Sequence, residues 1–292
     1  MSFLELLING LRLGSIYAII ALGYTMVYGI AKMLNFAHGD IIMVGAYIAF
    51  CGIQNWGIPP VPSILLAMLV CTVLGVAIEG LAYRPLRQAT SLAVLITAIG
   101  MSYLLQNTAL MIWGANTKSF PTTFINNSSI SVGELTIPSA TLITIAVNIV
   151  IMVSLTLFTS KTKTGKAMRC VSEDRGAAEL MGINVNRTIS LTFAIGSALA
   201  AIAGVLMCST SPSLAPTTGS MPGIKAFTAA VVGGIGSIPG AMLGGILLGV
   251  VEIFGNYYIS TDLGDAIVFA VLIIVLLVKP AGLLGKPMRE KV

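Results

Sequence analysis

The sequence predicts an all-α protein, a polytopic bundle of transmembrane helices with about 8–10 spans and some broken or re-entrant segments. Of its 292 residues 56% are apolar and only 9% are charged, and the mean hydropathy is +0.96. A soluble domain carries about 25% charged residues, so this chain has too little polar surface for water. One crossing of the bilayer takes about 20 residues, which leaves no room for a separate soluble domain. We therefore expect a single transmembrane domain over residues 1–292.

Apolar runs, separated by loops that hold most of the charged residues, are the candidates for these spans. In chain order they are Leu6–Ile30, Asp40–Ile53, Ser63–Tyr83, Ser91–Trp113, Pro138–Thr159, Thr188–Cys208, Ile224–Phe254 and Asp265–Val278. Their lengths differ, so we do not expect each run to be one simple span.

Glycines and polar residues interrupt the apolar pattern at two places. The run Ile224–Phe254 is too long for one untilted helix, and the string Gly233–Gly240 within it is rich in glycine and contains a proline. The segment Asn35–Asp40 places polar groups soon after the first run. Non-helical backbone at membrane depth survives only where protein or a watery cavity satisfies its amides. We therefore expect a turn within the long run and a pathway near both interruptions.

Basic residues are concentrated in three segments, and their positions set the orientation. They lie within residues 84–87, 161–187 and 279–291, whereas residues 52–62 carry no charge and residues 114–137 hold few charges. Positively charged loops stay in the cytoplasm. We therefore expect the three basic segments, including the C-terminus, on the cytoplasmic side. If the glycine-broken run crosses twice, the chain has nine spans and an external N-terminus.

Residues needed for common enzyme classes are missing from the sequence. The chain has a single histidine, His38, and its four cysteines show no paired spacing. A phosphate-binding loop of the form Gly-x-x-x-x-Gly-Lys-Ser/Thr does not occur, because Ser160 stands five residues before Gly165 and Ala167 follows Lys166. We therefore expect no catalytic residue, no metal and no cofactor in this chain, and any ATP to bind to another chain.

Polar residues within or beside the apolar runs are the candidates for function. Ionised groups in hydrocarbon are costly and tend to mark pathways. We expect the carboxylates Glu79, Glu252 and Asp265 each to lie near a membrane surface, with Glu79 snorkelling or paired locally. The residues that we select for a translocation path lie beside broken or polar segments: Asn35, His38, Gln106, Lys225 and Thr228.

Three of these path residues also have a plainer interpretation. His38 is a structural hydrogen-bonding group, a residue of the path or a proton carrier. Lys225 either snorkels to an interface or contributes to a cavity wall. Gln106 bonds between helices. The sequence leaves these alternatives open.

The segment Gly165–Ile183 is the most polar part of the chain that still shows a helical pattern. Its apolar residues fall near one helical face, and Gly182 stands where a helix would end. We expect a short cytoplasmic helix whose apolar edge is either a solvated loop face or a docking surface for a cytoplasmic partner. The apolar residues are Met168, Val171, Ala178 and Met181.

Several blocks of sequence together resemble one family of membrane proteins. They are Gly14–Ala18, Leu22–Gly29, Asn35–Gly39, Tyr83–Arg87, Gly165–Asn184, Lys225–Ala229 and Gly233–Ala241. In combination, and over nearly the whole chain, they resemble the permease subunits of bacterial ABC importers for branched-chain amino acids. The resemblance implies a multi-pass subunit of the inner membrane, without enzymatic activity, which translocates hydrophobic amino acids delivered by an extracytoplasmic binding protein.

The resemblance also implies a coupling helix. In related importers this cytoplasmic helix carries Glu-Ala-Ala, three residues and then Gly, and it docks in a groove on the ATPase. Ala177, Ala178 and Gly182 match the pattern, while Gly176 replaces the glutamate. The coupling-helix loop is therefore expected at residues 161–187. The residues expected to couple to the ATPase are Arg169, Asp174, Ala177, Ala178 and Gly182.

Partners follow from the same resemblance. A complete importer adds a second, different permease, two ATPase subunits that bind ATP and Mg²⁺, and the binding protein. The permease subunits lie in the lipid bilayer, and no nucleic acid is involved. The implied mechanism is alternating access. Two alternatives stay open: a permease for urea or short amides, whose importers are close relatives, and an ion-coupled secondary amino acid transporter.

Overall fold

The computed structural model describes residues 2–121, 129–132 and 135–285. Short strands form two antiparallel ribbons, in which β1 (Lys118–Ser119) pairs with β4 (Ser213–Leu214) and β2 (Ser129–Val132) pairs with β3 (Leu135–Pro138). The rest is mainly helical, which confirms the predicted bundle. The helices are α1 (Phe3–Ala31), α2 (His38–Gln54), α3 (Pro60–Ile78, continued by a π-helix Glu79–Tyr83), α4 (Ser91–Trp113), α5 (Ser139–Lys161), α6 (Lys163–Glu173), α7 (Arg175–Leu180), α8 (Val185–Thr210), α9 (Ser220–Gly233), α10 (Ile238–Tyr258) and α11 (Gly264–Val278, preceded by a 3₁₀ turn Thr261–Leu263).

Within the described residues, seven helices are long and apolar enough to cross a membrane: α1, α3 with its π-helix, α4, α5, α8, α10 and α11 with its 3₁₀ turn. α2 and α9 have 17 and 14 residues. At a rise of 1.5 Å per residue, α9 is about 21 Å long, which is shorter than a hydrocarbon core of about 30 Å. Nine crossings are therefore reached only if α2 and α9 are counted together with the non-helical segments that precede them, residues 32–37 and 211–219.

The break predicted in the run Ile224–Phe254 is confirmed at residues 234–237, although α9 is too short to be a complete span. α9 stops because Gly234 adopts φ +106°, a backbone conformation that side chains disfavour. α10 then starts at an N-cap, Ser237, whose hydroxyl accepts a hydrogen bond from the Gly240 amide at 3.2 Å, with Pro239 in its first turn. Local sequence therefore fixes this turn.

α1 and α10 pack together with their backbones almost in contact, and glycines make this possible. A Cβ atom at Gly249 would lie 2.1 Å from the amide nitrogen of Gly14, and one at Gly245 would lie 2.5 Å from the Cα of Ala18. Near the helix ends, Phe3 packs edge-on against Phe254. Residue numbers rise along α1 as they fall along α10, so the two helices are antiparallel. Small residues allow such close approach in lipid, where apolar burial alone drives little association.

The helices α2 and α9 begin beside each other inside the bundle, at a point that we call the junction (Gly39, Gly219 and Gly223). A Cβ atom at Gly219 would lie 1.8 Å from the carbonyl oxygen of Gly39, and one at Gly223 would lie 2.9 Å from the Cα of Gly39. From the junction α2 and α9 run to opposite ends. α2 ends beside α4, where the Trp113 indole N–H donates to the Cys51 sulfur at 3.2 Å.

The end that α9 reaches is the basic end of the molecule, and the basic segments of the described chain meet there. Arg87 donates a hydrogen bond to the side-chain oxygen of Asn186 at the start of α8, and Arg175 donates to the carbonyl of Ala31 at the end of α1. The amides of Leu283 and Leu284 donate to the last turn of α9 at 2.8 and 2.9 Å. Residues 286–292 lie outside the described residues, and the cytoplasmic location of this end stays a prediction.

The pair α1–α2 and the pair α8–α9 form an internal repeat, in which the second pair runs in the opposite direction to the first. α1 runs toward the basic end, a non-helical segment turns back, and α2 runs away from the junction to the opposite end. α8 runs away from the basic end, a second non-helical segment turns back, and α9 runs from the junction to the basic end. Inverted repeats with broken helices near mid-membrane are typical of transporters, whose pathways lie at the repeat interface.

We expect Gly249→Ala to lower the free energy of unfolding by about 1–3 kcal/mol or more, because the new methyl group would force α1 and α10 apart. The matched control is Gly100→Ala, where a Cβ atom meets nothing within 4 Å. Unfolding in detergent, followed by the fluorescence of Trp56 and Trp113, measures both. Equal stability of the two variants would contradict the assigned α1–α10 contact.

Candidate translocation path and coupling surface

The junction carries a buried polar cluster around Asp40, in the first turn of α2. The Gln106 side-chain nitrogen donates to Asp40 Oδ1 at 2.9 Å, and it lies 3.2 Å from the hydroxyl oxygens of Ser102 and Ser220. Through Gln106, α4 is hydrogen-bonded to the first turn of α2 and to the first residue of α9. Asp40 lies in the first turn of α2, at the positive end of that helix dipole. The predicted bonding of Gln106 between helices is observed.

Asp40 was missed as a candidate by the sequence reasoning. It stands at the boundary of the predicted run Asp40–Ile53, and a carboxylate at the start of an apolar run is a recognisable signal. Its side chain is buried. Because the junction forms from residues about 180 positions apart in the chain, such as Asp40 and Ser220, its composition could not be read locally.

Asn35 and His38 flank the turn into α2, and both are buried. The Tyr83 hydroxyl donates to Asn35 Oδ1 at 2.9 Å, which connects this turn to the end of the π-helix. The His38 ring packs edge-on against Tyr24, with centroids 4.6 Å apart. Its Nε2 atom faces Gly23 and has no hydrogen-bond partner among the described residues. In this structure the Asn35 side chain therefore links the turn before α2 to the π-helix, and the His38 ring links α2 to α1.

A buried ion pair lies between α9 and α10. Lys225 Nζ is 2.7 Å from Glu252 Oε1 and 2.5 Å from Asp265 Oδ1, and the Tyr17 hydroxyl donates to Glu252 Oε2 at 2.9 Å. Glu252 is buried within the protein, with only 7% of the residue exposed, and its expected position near a membrane surface stays a prediction. The Asp265 side chain is half exposed. The Lys225 side chain is held by these two carboxylates and is mostly buried.

Thr228 lies one turn after Lys225 on α9 and is also buried. Its hydroxyl donates to the carbonyl of Ile224 at 3.0 Å, a bond within the helix. The structure therefore distributes the five selected path residues over separate hydrogen-bonding groups. Lys225 and Thr228 share α9, which begins at the junction near Gln106, while Asn35 and His38 lie at the start of α2.

Glu79 forms a second buried ion pair, near the basic end. It accepts hydrogen bonds from Arg87 and, at 2.6 Å, from the Ser190 hydroxyl. Local pairing of this carboxylate is therefore observed. Glu79 begins the π-helix at the end of α3, and Ser190 belongs to α8, so the pair fixes these two helices and the loop after α3 to one another.

The loop at residues 161–187 contains two helices, α6 and α7, which meet at Asp174. The Asp174 carboxylate caps α7 by accepting from the Ala177 amide at 3.0 Å. Gly182, with φ +81°, follows the end of α7 as predicted. Arg169 donates to the carbonyl of Ser160 at 3.3 Å, which holds α6 against the end of α5.

The four apolar residues predicted to form one exposed edge do not do so, because three of them pack inside the bundle and only one is exposed. Met168, Val171 and Ala178 are buried, but Met181 is 82% exposed, and its neighbour Leu180 is 91% exposed. The break at Asp174 explains the difference, because a new helix does not continue the rotational phase of the previous one. Ala177 is exposed beside them, and an adjoining depression of about 360 Å³ is lined by residues 179 and 182–186.

α7 is attached to the bundle by Arg175, which donates to the last carbonyl of α1. Burial lowers the pKa of the Arg175 guanidinium from its ordinary value, and nearby Arg87 lowers it further. The exposed edge of α7 is therefore backed by contacts to α1 and by the loop after α3. Such an edge, apolar and held on a short rigid helix, is typical of a docking surface.

Comparison with known proteins agrees with this architecture. A family model described as "Branched-chain amino acid transport system / permease component" matches residues 6–276. The high-affinity branched-chain amino acid transport system permease protein BraD of Pseudomonas aeruginosa is 46% identical, over 99% of this chain and 98% of that protein. LivH of Escherichia coli, a permease protein of the same description, is 45% identical over the same shares.

Fold similarity extends to a solved structure of low sequence identity. PsaBC from Streptococcus pneumoniae, solved in complex with Fab, matches with a TM-score of 0.50 and 15% identity, over 94% of this chain and 91% of that one. At this identity the match concerns the fold alone. Because the family model matches nearly the whole chain and these two relatives are 45–46% identical to it, this chain belongs to the family of permease components of branched-chain amino acid transport systems.

Proposed function

We propose that this chain is the membrane-spanning permease subunit of an ATP-driven importer, which translocates branched-chain amino acids delivered by an extracytoplasmic binding protein. The observation that carries the proposal is 45–46% identity over nearly the full length of permease proteins described as high-affinity transporters of these amino acids. The bundle adds a second support, because its broken helices meet inside the bundle. The chain itself is a transport subunit and not an enzyme.

The proposed partners are a second and different permease chain, two ATPase subunits and the binding protein. ATP and Mg²⁺ bind to the ATPases, since the sequence has no phosphate-binding loop. Support for a cytoplasmic partner comes from the exposed apolar edge of α7. The proposed location is the inner membrane of a bacterium, with the basic end and the C-terminus in the cytoplasm, as the distribution of lysine and arginine indicates.

Coupling in this proposal starts at the loop 161–187. ATP-driven closure of the ATPases displaces α7, and the Arg175 contact transmits the displacement to α1. Asp174 and Gly182 fix the two ends of α7, Ala178 packs it on the bundle, and Ala177 faces the ATPase. Arg169 holds α6 on α5. A ligand shifts a conformational equilibrium only through different affinity for the two states, so nucleotide must bind the closed ATPase pair more tightly.

The proposed path passes the junction, where α2 and α9 begin. Asn35 and His38 lie on one side of it, and Gln106, Lys225 and Thr228 lie on the other. In the state described here four of these side chains are hydrogen-bonded to protein groups, and the His38 ring packs against Tyr24. In the proposal this state is the closed path. Opening would exchange part of these bonds for contacts with water and cargo.

Two alternatives are less well supported. A urea or short-amide permease keeps the architecture but changes the cargo, and the similar proteins described above carry the names of branched-chain amino acid systems. An ion-coupled carrier would use no ATPase, yet the matched family describes components of transport systems.

The function is tested by reconstituting the chain in lipid vesicles with its candidate partner permease and ATPase subunits. We expect leucine-loaded binding protein to stimulate ATP hydrolysis and ATP-dependent leucine uptake. If only urea-loaded or amide-loaded binding protein stimulated hydrolysis, the architecture would stand and the assigned cargo would be urea or an amide. Uptake by this chain without ATP or partners would replace the proposal with an ion-coupled carrier.

The docking edge is tested by the double substitution Leu180→Ser and Met181→Ser. A truncated apolar contact at an interface centre costs more than about 1 kcal/mol, so we expect the affinity for the ATPase to fall by at least about tenfold. Co-purification of the ATPase and uptake measure the effect. Leu263→Ser, an exposed leucine at the opposite end of the molecule, is the matched control. Unchanged ATPase binding by the double variant would exclude this edge as the docking surface.

A further inference from the structure

A cavity of about 260 Å³ opens in the half of the bundle away from the basic end. It lies between α1, the end of α8 and the start of α9. Apolar groups form one part of its wall and hydroxyl groups form the other. The wall residues that matter here are Leu13, Tyr17, Met207, Ser211, Thr218 and Pro222.

One wall of this cavity leads directly to the buried ion pair. Tyr17 lines the cavity, and its hydroxyl donates to Glu252 Oε2 at 2.9 Å. Pro222 also lines it, and Lys225 lies three residues later on the same face of α9. Tyr17 therefore lies between the cavity and Glu252, and displacement of its hydroxyl would open Glu252 to the cavity.

The charges behind Tyr17 do not balance. Lys225 supplies one positive charge and contacts two carboxylates, those of Glu252 and Asp265. When both acids are ionised, one negative charge is left over, and a buried carboxylate requires a cationic or hydrogen-bonding partner. Asp265 is half exposed and can be hydrated, whereas Glu252 is buried and depends on Lys225 and the Tyr17 hydroxyl as the partners of its two oxygens. A cation in place of the Tyr17 hydroxyl would balance the second carboxylate.

The size of the cavity suits a small amino acid. At roughly 30 Å³ for each water molecule, about nine waters would fill it. A branched-chain amino acid has about the same number of non-hydrogen atoms. Leu13 and Met207 offer apolar contacts for its side chain.

We propose that this cavity is a transient binding site for a zwitterionic amino acid with an aliphatic side chain. The ammonium group binds Glu252 in place of the Tyr17 hydroxyl, the carboxylate binds Lys225, and the side chain packs against Leu13 and Met207. Asp265 keeps Lys225 paired during the exchange. The proposal rests on the proposed import function and names the first site that the cargo meets inside this chain.

The test measures protection of a cysteine in the cavity wall. Cys170 is exposed and is first replaced in the variant Cys170→Ser, while the other cysteines, Cys51, Cys71 and Cys208, are buried. Ser211→Cys is then introduced, and the assembled importer is treated in vesicles with a membrane-impermeant thiol reagent. With leucine at a concentration equal to its Kd and without binding protein, labelling should slow about twofold, and further at higher concentration. Urea should give no protection.

Variants and a control position make the outcome specific. We expect Glu252→Gln to abolish protection, and Tyr17→Phe, which keeps the ring, to alter it while the bundle stays intact. Asp262→Asn, an exposed acid at the same end, should leave protection unchanged, and Thr261→Cys should be labelled equally with and without leucine. If the complex imports leucine but leucine never protects Ser211→Cys, the site is wrong and the import function stands. If the complex does not import leucine with ATP and loaded binding protein, the proposed function itself fails.

Discussion

The close approach of backbones inside the membrane is the constraint on which this structure depends. Hydrocarbon offers no hydrogen bonds to non-helical backbone, so the segments before α2 and α9 are stable only when protein encloses them. Gly39 and Gly219 allow this, because a Cβ atom at Gly219 would overlap the carbonyl oxygen of Gly39. The same constraint brings α1 and α10 together at Gly14 and Gly249. Larger residues at these positions would separate the helices and open the broken segments to lipid.

Two buried ion pairs then fix how the helices are arranged around that centre. A buried pair is a weak source of stability, because desolvation offsets much of the attraction. Its effect here is geometric: Glu79 and Arg87 connect the end of α3 with α8, and Lys225 connects α9 with α10 and α11. α1 connects both regions. It accepts a bond from α7 at one end and carries Tyr17, which contacts Glu252, near its middle.

Much of the fold could be predicted from local sequence. The run Ser91–Trp113 coincides with α4, and the glycine-rich string marks the turn between α9 and α10. The end of α7 before Gly182 was also expected. These features depend on hydropathy and backbone preference over a few neighbouring residues, which the sequence states directly. The length of α9 was not predicted, because the apolar pattern does not indicate where a helix begins inside a membrane.

The sequence by itself determined the membrane class, the basic segments, the broken runs and the family. Only the tertiary structure decided the environment of the charged residues. Glu252 is buried because Tyr17, 235 residues away in the chain, and Lys225 close over it. Asp40 belongs to a polar cluster because α4 and α9 bring Gln106 and Ser220 beside it. Hydropathy is a property of neighbouring residues, whereas the burial and pairing of a charge depend on which distant side chains the packing brings into contact.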